Sequence, residues 1–357
     1  MLKTYCKDTF FFAHMQNFLY FCTLKKRKHA NHMLLIADSG STKVHWCLMA
    51  ANGHHADFFT DGINPMFQTS DAMRNSISNQ LLPQIGPSLW AGTLTHIFFY
   101  GAGCTPEKKP FVAQALQNVF RKAEVTVEND MLGAARGLLG DKFGVACILG
   151  TGSGSCFYDG SRIAWNVPSL GYILGDEGSA AVLGKQLVSD ILKNQLGEDL
   201  KQTFLDTFHI TMADILEKVY RQPFPNRYLA TLSRFCADHL DDERIYQLVY
   251  NHFRLFVTRN IAQYFAPARQ PAASSAAPDN QPAASPAGIN RLSSDSPAGF
   301  ERLSLDSPVG FVGSVAWFYR DVLQRVITDC GYTLGDILQD PVPGLIRFHR
   351  PDLVPTT

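Results

Sequence analysis

The chain has 357 residues, is 46% hydrophobic and carries 32 basic against 32 acidic side chains, a formal net charge of zero. At ~150 residues per domain, that length and apolar content suffice for two domains, and no apolar run reaches the ~18 residues of a membrane span. Balanced charge excludes the basic field that nucleic acid or an anionic lipid surface requires. The expected partner is therefore a small molecule, with no nucleic acid and no membrane.

Residues 1–32 stand apart. The apolar stretch 10–24 is interrupted by His14, Gln16 and Asn17 and is followed by the basic run at 25–28. A signal peptide has the reverse order and a small-residue cleavage site. Because Met33 directly precedes the first strand pattern, residues 1–32 read as an extension outside the fold, with a misassigned start codon as one explanation and a weak surface anchor as the alternative.

From Met33 the hydrophobic alternation predicts strands over 34–37, 44–50 and 54–60, with Asp38-Ser39-Gly40-Ser41-Thr42-Lys43 and Ala51-Asn52-Gly53 as the intervening turns. Helical spacing follows over 70–82, then a strand over 97–100, a helix over 107–121, a strand over 124–127 and a helix over 131–139. This βββαβαβα order occupies a first domain, 33–140. Strands over 145–149, 155–158 and 162–167 restart the scheme in a second domain, 141–357, with Gly150-Thr151-Gly152-Ser153-Gly154-Ser155 after the first of them. A helical region over 178–264, read largely as an insertion, precedes a strand at 311–312 and a helix over 314–328. The architecture expected is α/β: a mixed sheet flanked by helices, built twice.

Residues 266–308 break the pattern. Gln270-Pro271-Ala272-Ala273-Ser274 recurs eleven residues on at Gln281-Pro282-Ala283-Ala284-Ser285, and Arg291-Leu292-Ser293 recurs as Arg302-Leu303-Ser304. An 11-residue period can mark a right-handed supercoil, but Pro, Ser, Ala and Gly supply no apolar stripe here. A low-complexity flexible loop is the reading. Eight cysteines include no C-x-x-C pair and no zinc-like spacing with histidine. They read as reduced thiols of a cytoplasmic protein.

Two glycine turns in matching strand contexts suit a polyphosphate better than either does alone. In the first, Asp38 ends a strand where it would hold a phosphate-bound Mg2+ through water, and the Gly40, Ser41 and Thr42 amides and hydroxyls can face phosphate oxygens. Gly150, Thr151, Gly152 and Ser153 would do the same from the second half. Each loop is also readable as a plain hairpin turn. Asp130 opens a predicted helix, where an acidic residue often serves only as an N-cap; Asn64-Pro65 suits an ordinary turn; and Asp176-Glu177 suits a helix N-terminus.

Taken in order, Asp38 to Lys43, Gly150 to Ser153, Gly175-Asp176-Glu177-Gly178-Ser179 and Val312-Gly313-Ser314-Val315 make the chain resemble the bacterial N-acetylglucosamine kinase-like proteins. These belong to the sugar kinase, actin and heat-shock chaperone ATPase superfamily. Over about 33–349, the resemblance implies two ribonuclease H-like domains of the actin-like ATPase fold, binding ATP, Mg2+ and sugar. It implies Asp130 as the catalytic carboxylate that orients and deprotonates the sugar 6-hydroxyl. Ser39 to Lys43, Gly150 to Ser153, Gly313 and Ser314 would hold the nucleotide, Asp38 the metal, and Asn64, Asp130, Gly175, Asp176 and Glu177 the sugar. Gly101 to Cys104 would shape the wall near the N-acetyl group, with packing as the plainer role of Cys104. Where relatives commonly carry Asn in Gly-Thr-Gly-Ser-Asn-Ser, this chain has Gly154, so one side-chain amide is absent.

The activity implied is ATP-dependent phosphorylation of an amino sugar, N-acetylglucosamine first among them. An ATPase activator of a radical dehydratase or reductase and a non-catalytic sugar-sensing protein are the alternatives from other classes. A homodimer is compatible with the sequence, which does not require one. If 266–308 is a loop without a folding role, deletion of residues 274–304 leaves a soluble, active protein. An inactive or insoluble product contradicts that reading.

Overall fold

The computed structural model describes residues 32–40, 42–86, 94–265 and 303–353. Ser41, the extension up to residue 31 and the low-complexity stretch through 302 lie outside the described residues. The chain forms two compact units, one of residues 32–141 with 338–353 and the other of residues 142–337.

In the first unit, β1 (Met33–Ser39), β2 (Lys43–Met49) and β3 (His55–Asp61) form an antiparallel meander, and β4 (Leu94–Gly101) and β5 (Glu124–Asn129) add parallel strands. The sheet order is β3-β2-β1-β4-β5. β1 is almost continuously apolar because, as the middle strand, it is covered on both faces. On one face Leu35 and Ala37 join Trp46, Phe58, Phe99 and Leu116 in the main core; on the other, Ile36 packs with Met49, Tyr100 and Leu345. Buried Trp46 is satisfied by donating from Nε1 to Thr60 Oγ1 at 2.9 Å.

Helix α1 (Ser70–Ser76) is capped by Thr69 and continues through a π-helical turn (Ile77–Leu81) into Leu82–Ile85, beyond the predicted end at 82. The helix expected over 107–121 shortens to α2 (Lys109–Val119), since Thr105 to Lys108 close a turn and Pro110 suits a first helical turn. Helix α3 (Asp130–Leu139) follows β5 directly.

The second unit repeats the topology. Here β6 (Gly144–Leu149), β7 (Ser153–Tyr158) and β8 (Ile163–Trp165) form the meander, while β9 (Val309–Val312) runs parallel to β6 and β10 (Leu334–Leu338) takes the outer edge, giving β10-β9-β6-β7-β8. Written from the meander outward, both units read third-second-first-fourth-fifth strand. Between β8 and β9 the chain is helical: α4 (Gly171–Leu174), α5 (Ala180–Leu192), α6 (Glu198–Phe208), α7 (Met212–Tyr220), α8 (Pro225–Leu232), α9 (Arg234–Asp238) and α10 (Glu243–Phe256). A tail after α10 carries Tyr264, whose hydroxyl meets Ser155 Oγ at 2.9 Å and accepts from Val167 N at 3.0 Å. That pins the helical region to the sheet.

The single helix expected over 314–328 is two, α11 (Ser314–Phe318) and α12 (Arg320–Asp329). They break at Tyr319, whose backbone leaves the helical region at φ −104° and ψ 22° and whose hydroxyl donates to Ser233 O at 2.9 Å. Sequence periodicity assigned nothing after 328, yet β10 and α13 (Val342–His349) follow. Helix α13 packs on α3 and β1 of the first unit, where Tyr100 OH lies 2.9 Å from His349 Nε2 and accepts from Arg136 at 3.0 Å.

At the α3–α13 contact, a Cβ on Gly344 would stand 1.9 Å from Gly137 O, a backbone atom that cannot swing aside. Gly344→Ala must therefore push the helices apart. The expected destabilisation is about 1–3 kcal/mol, read as a lower urea midpoint, with no change expected in a surface control such as Lys193→Ala.

Candidate functional site

Parallel strands β1, β4 and β5 end at the same edge of the first sheet, with Asp38 paired to Tyr100 and Gly101 to Asn129. Asp38 therefore arrives near the start of α3. The cap of that helix is Asn129, whose Oδ1 accepts from Leu132 N at 2.8 Å. Asp130 sits one position inside, where its Oδ1 accepts from the adjacent Met131 N at 2.9 Å. The cap and the acid are different residues.

Both acids are half-buried and crowded. Burial pushes the Asp38 carboxyl up to about 8, reinforced by the Asp340 and Asp130 charges and opposed by His45 and Lys43. Burial also raises Asp130, against the pull of the Met131 amide. Crowded, partly desolvated carboxylates of this kind are relieved by a cation, and an oxygen donor set suits Mg2+. Among the described residues, no group of three or more His, Cys, Asp or Glu side chains is placed to hold a metal ion.

The rest of the first loop is tightly tied. Ser39 is fully buried, with Oγ donating to Ile63 O at 2.8 Å and accepting from Ile63 N at 3.1 Å. Its hydroxyl thus docks the Gly62-Ile63-Asn64 segment onto β1. Gly40 N donates to Lys43 O at 3.0 Å, closing the turn; Thr42 O accepts from Gly62 N at 3.1 Å; and the Lys43 ammonium lies 5.5 Å from the Phe59 ring centre.

Asn64 makes the turn of its plainer sequence reading. Its Oδ1 accepts from Met66 N at 3.0 Å, making the turn, and its backbone N–H donates to Gln68 Oε1 at 2.9 Å. The carboxamide Nδ2 has no acceptor among the described residues and remains available as a donor. Nearby, Cys104 is buried and its thiol is pushed up to about 12 by burial and by the Asp130 charge. A thiol in that state packs and does not react.

In the second unit the glycine loop leans on α5. Ala180 N donates to Gly150 O at 2.9 Å, Ala181 N to Thr151 O at 3.2 Å, and Gly150 N to Gly152 O at 2.9 Å. Ser179 caps α5 by accepting from Val182 N. Asp176 and Glu177 therefore precede the cap and lie outside the first turn. They also diverge: Asp176 Oδ1 accepts from Ser153 N at 3.4 Å beside Gly152, whereas Glu177 takes Arg259 Nε at 3.0 Å and Asn260 Nδ2 at 3.5 Å. Burial raises the Asp176 carboxyl to about 6, with the Ser153 amide opposing and the Glu177 charge adding. Gly175 fits because a Cβ would be 2.0 Å from Ser169 O. Gly313, ahead of Ser314 at the start of α11, has φ +121° and its Cβ would lie 2.3 Å from Leu149 O. Only glycine lets β9 end that close to β6.

A search of solved structures places this geometry. A protein from Porphyromonas gingivalis, proposed to be an N-acetylglucosamine kinase, is 44% identical, with a TM-score of 0.76 over 90% of this chain and 100% of its own. The chain belongs to the N-acetylglucosamine kinase-like family. A second protein, from Chromobacterium violaceum and proposed to have the same activity, is 18% identical and shares the fold, with a TM-score of 0.61 over 90% of this chain and 99% of its own. No protein-family model matches the sequence, and no curated protein matches it. The two units, each built on a five-stranded mixed sheet, share the fold of these two proteins. Among the described residues, no helix is long and apolar enough to cross a membrane, and the six cysteines are free thiols.

One cluster of this N-acetylglucosamine kinase-like protein escaped sequence reasoning. His45 Nδ1 lies 2.8 Å from Asp340 Oδ2, and its Nε2 lies 3.0 Å from Asp57 Oδ1. Burial would lower the imidazole, but the hydrogen bonds and charges of Asp340 and Asp57 prevail and raise it to about 9. The available sequence signal was a lone histidine in an apolar strand, with nothing to name a partner in a distant segment.

The separation of cap and acid gives a direct test. Asn129→Ala is expected to cost about 1 kcal/mol of stability, whereas Asp130→Asn, which keeps an oxygen for the Met131 amide, leaves the thermal midpoint close to wild type. Equal losses in the two variants would show Asp130 to be part of the cap.

Proposed function

We propose that this protein transfers the γ-phosphoryl group of ATP to the 6-hydroxyl of an amino sugar, N-acetylglucosamine foremost, yielding the 6-phosphate and ADP. The observation that carries the reading is the pair of half-buried carboxylates, Asp38 and Asp130, at one sheet edge, with the helix cap supplied separately by Asn129. Support comes from the 44% identical relative proposed to be an N-acetylglucosamine kinase.

Asp130 accepts the proton of the attacking hydroxyl as its oxygen bonds to phosphorus and the bond to ADP breaks. Burial raises its proton affinity, as suits a base. Asp38 holds Mg2+ through water, and that ion supplies charge neutralisation on the phosphates. The Gly40 to Lys43 and Gly150 to Ser153 turns offer backbone and hydroxyl groups to phosphate oxygens, with Gly313 and Ser314 admitting the adenosine. Asn64 donates from its free Nδ2 to a sugar oxygen. Of the acidic pair, Asp176 is the better-placed acceptor for a sugar hydroxyl because Glu177 is engaged with Arg259.

Phosphoryl transfer through a loose transition state needs little early proton removal, so alignment and electrostatics dominate the acceleration. General-base assistance is worth about 10²- to 10⁴-fold. Asp130→Asn should lower kcat by about that factor while nucleotide binding persists. A coupled ADP-release assay with Mg2+ across a hexosamine panel, run beside this variant, tests both substrate and base. Absence of sugar-dependent ADP release, or unchanged turnover in the variant, would refute the assignment.

A further inference from the structure

Asp38 on β1 stands directly opposite His45 on β2, so both side chains leave the same face of the sheet. That face is the one Ile36 shares with Leu345, and it is covered by α3 and α13. His45 is itself immobilised there. Its two nitrogens meet carboxylates from opposite directions, Asp57 on β3 and Asp340 immediately before α13, and its ring stacks on Phe59 with centres 4.7 Å apart. A carboxylate at each ring nitrogen favours the protonated ring, in which both nitrogens donate.

Asp340 is fixed in turn. Its other oxygen accepts from Val342 N at 2.9 Å, within the first turn of α13. The helix behind it is locked to α3 by the Gly137–Gly344 contact and to β4 through His349 and Tyr100. A rigid path of contacts therefore runs from the end of the chain to the residue facing Asp38.

We propose that His45, clamped between Asp340 and Asp57, is a positioning residue for Asp38, holding that carboxylate ready for the hydrated divalent cation that accompanies the nucleotide. The role extends the metal-binding half of the proposed function and rests on that reading. Asp340 belongs to the same device at one remove, which makes the segment carrying α13 a functional part of the first unit. Holding a water-linked carboxylate in place resembles the outer-shell support of metal ligands, whose removal typically costs about 10- to 100-fold in metal affinity.

The test is calorimetric titration of the full-length protein with the imidotriphosphate analogue of ATP, with and without Mg2+. Wild type should bind more tightly when Mg2+ is present. His45→Gln and Asp340→Ala should each lose at least about tenfold of that Mg2+-dependent gain, with metal-free affinity held within about twofold. Asp340→Asn, which keeps the oxygen facing Val342 N, should show the same loss with a smaller drop in thermal midpoint than Asp340→Ala. A Mg2+-dependent gain that is unchanged or larger in the folded variants overturns the positioning role and leaves a structural brace. Wild-type protein whose nucleotide binding ignores Mg2+ overturns instead the functional reading beneath it.

Discussion

Repulsion between partly desolvated acids is the constraint around which the first unit is arranged. The Asp130 charge raises the proton affinity of Asp38, and burial raises that of both; neither has an arginine or lysine bonded to its carboxylate among the described residues. Folding gains nothing from such a pair, because desolvation opposes each charge and proximity opposes both. Their placement is instead a consequence of topology. Parallel β1, β4 and β5 deliver their last residues to one edge, and the first residue of α3 follows without a loop. The cost must be recovered elsewhere in the unit or on binding a cation. The imidazolium of His45 opposite Asp38 supplies part of that recovery within the protein.

The second unit uses the same strand order for a different end. There the loop after β6 is short of side chains, and its carbonyls are bound by the first amides of α5. Asp176 reaches the loop through the Ser153 amide, while Glu177 turns away to Arg259 and Asn260. One duplicated scaffold thus carries two acids at the sheet edge in one copy and a backbone-rich turn in the other. Gly154 lies within β7 opposite Ile148, so the ladder continues through that position without a side-chain amide.

Much of this was legible because local pattern and tertiary role agree. Leu34 to Ala37 and Val145 to Leu149 read as buried strands and are central in their sheets; Ala51-Asn52-Gly53 read as a hairpin turn and is one. Legibility fails where the deciding partner is remote. Strand β10 is five residues with glycine and aspartate inside it, too short for alternation to register. Helix α13 begins beside Pro341 and Pro343, which resemble breakers until their position in the first turn is known. His45 meets Asp340 across 295 residues, and Glu177 meets Arg259 in a helix that the intervening pattern cannot orient. Asp38, Asp130 and Asn64 were accessible from motif order, yet only coordinates divide Asn64 into a turn-forming oxygen and an unoccupied nitrogen.

The two helix starts beside these acids follow one rule. A carboxylate at an N-terminus is attracted by the helix dipole and by unpaired amides; a carboxylate so used is held low in proton affinity and fixed in direction. Neutral residues fill that position here, with Asn129 capping α3 and Ser179 capping α5. Asp130, inside its cap, and Asp176, ahead of its cap, are thereby left with raised proton affinity. An aspartate in place of Asn129 would add a charge beside Asp130 and worsen the repulsion already present between the acids. A neutral cap satisfies the same amide and adds none, so the polar residue next to the acid is as much a condition of the site as the acid itself.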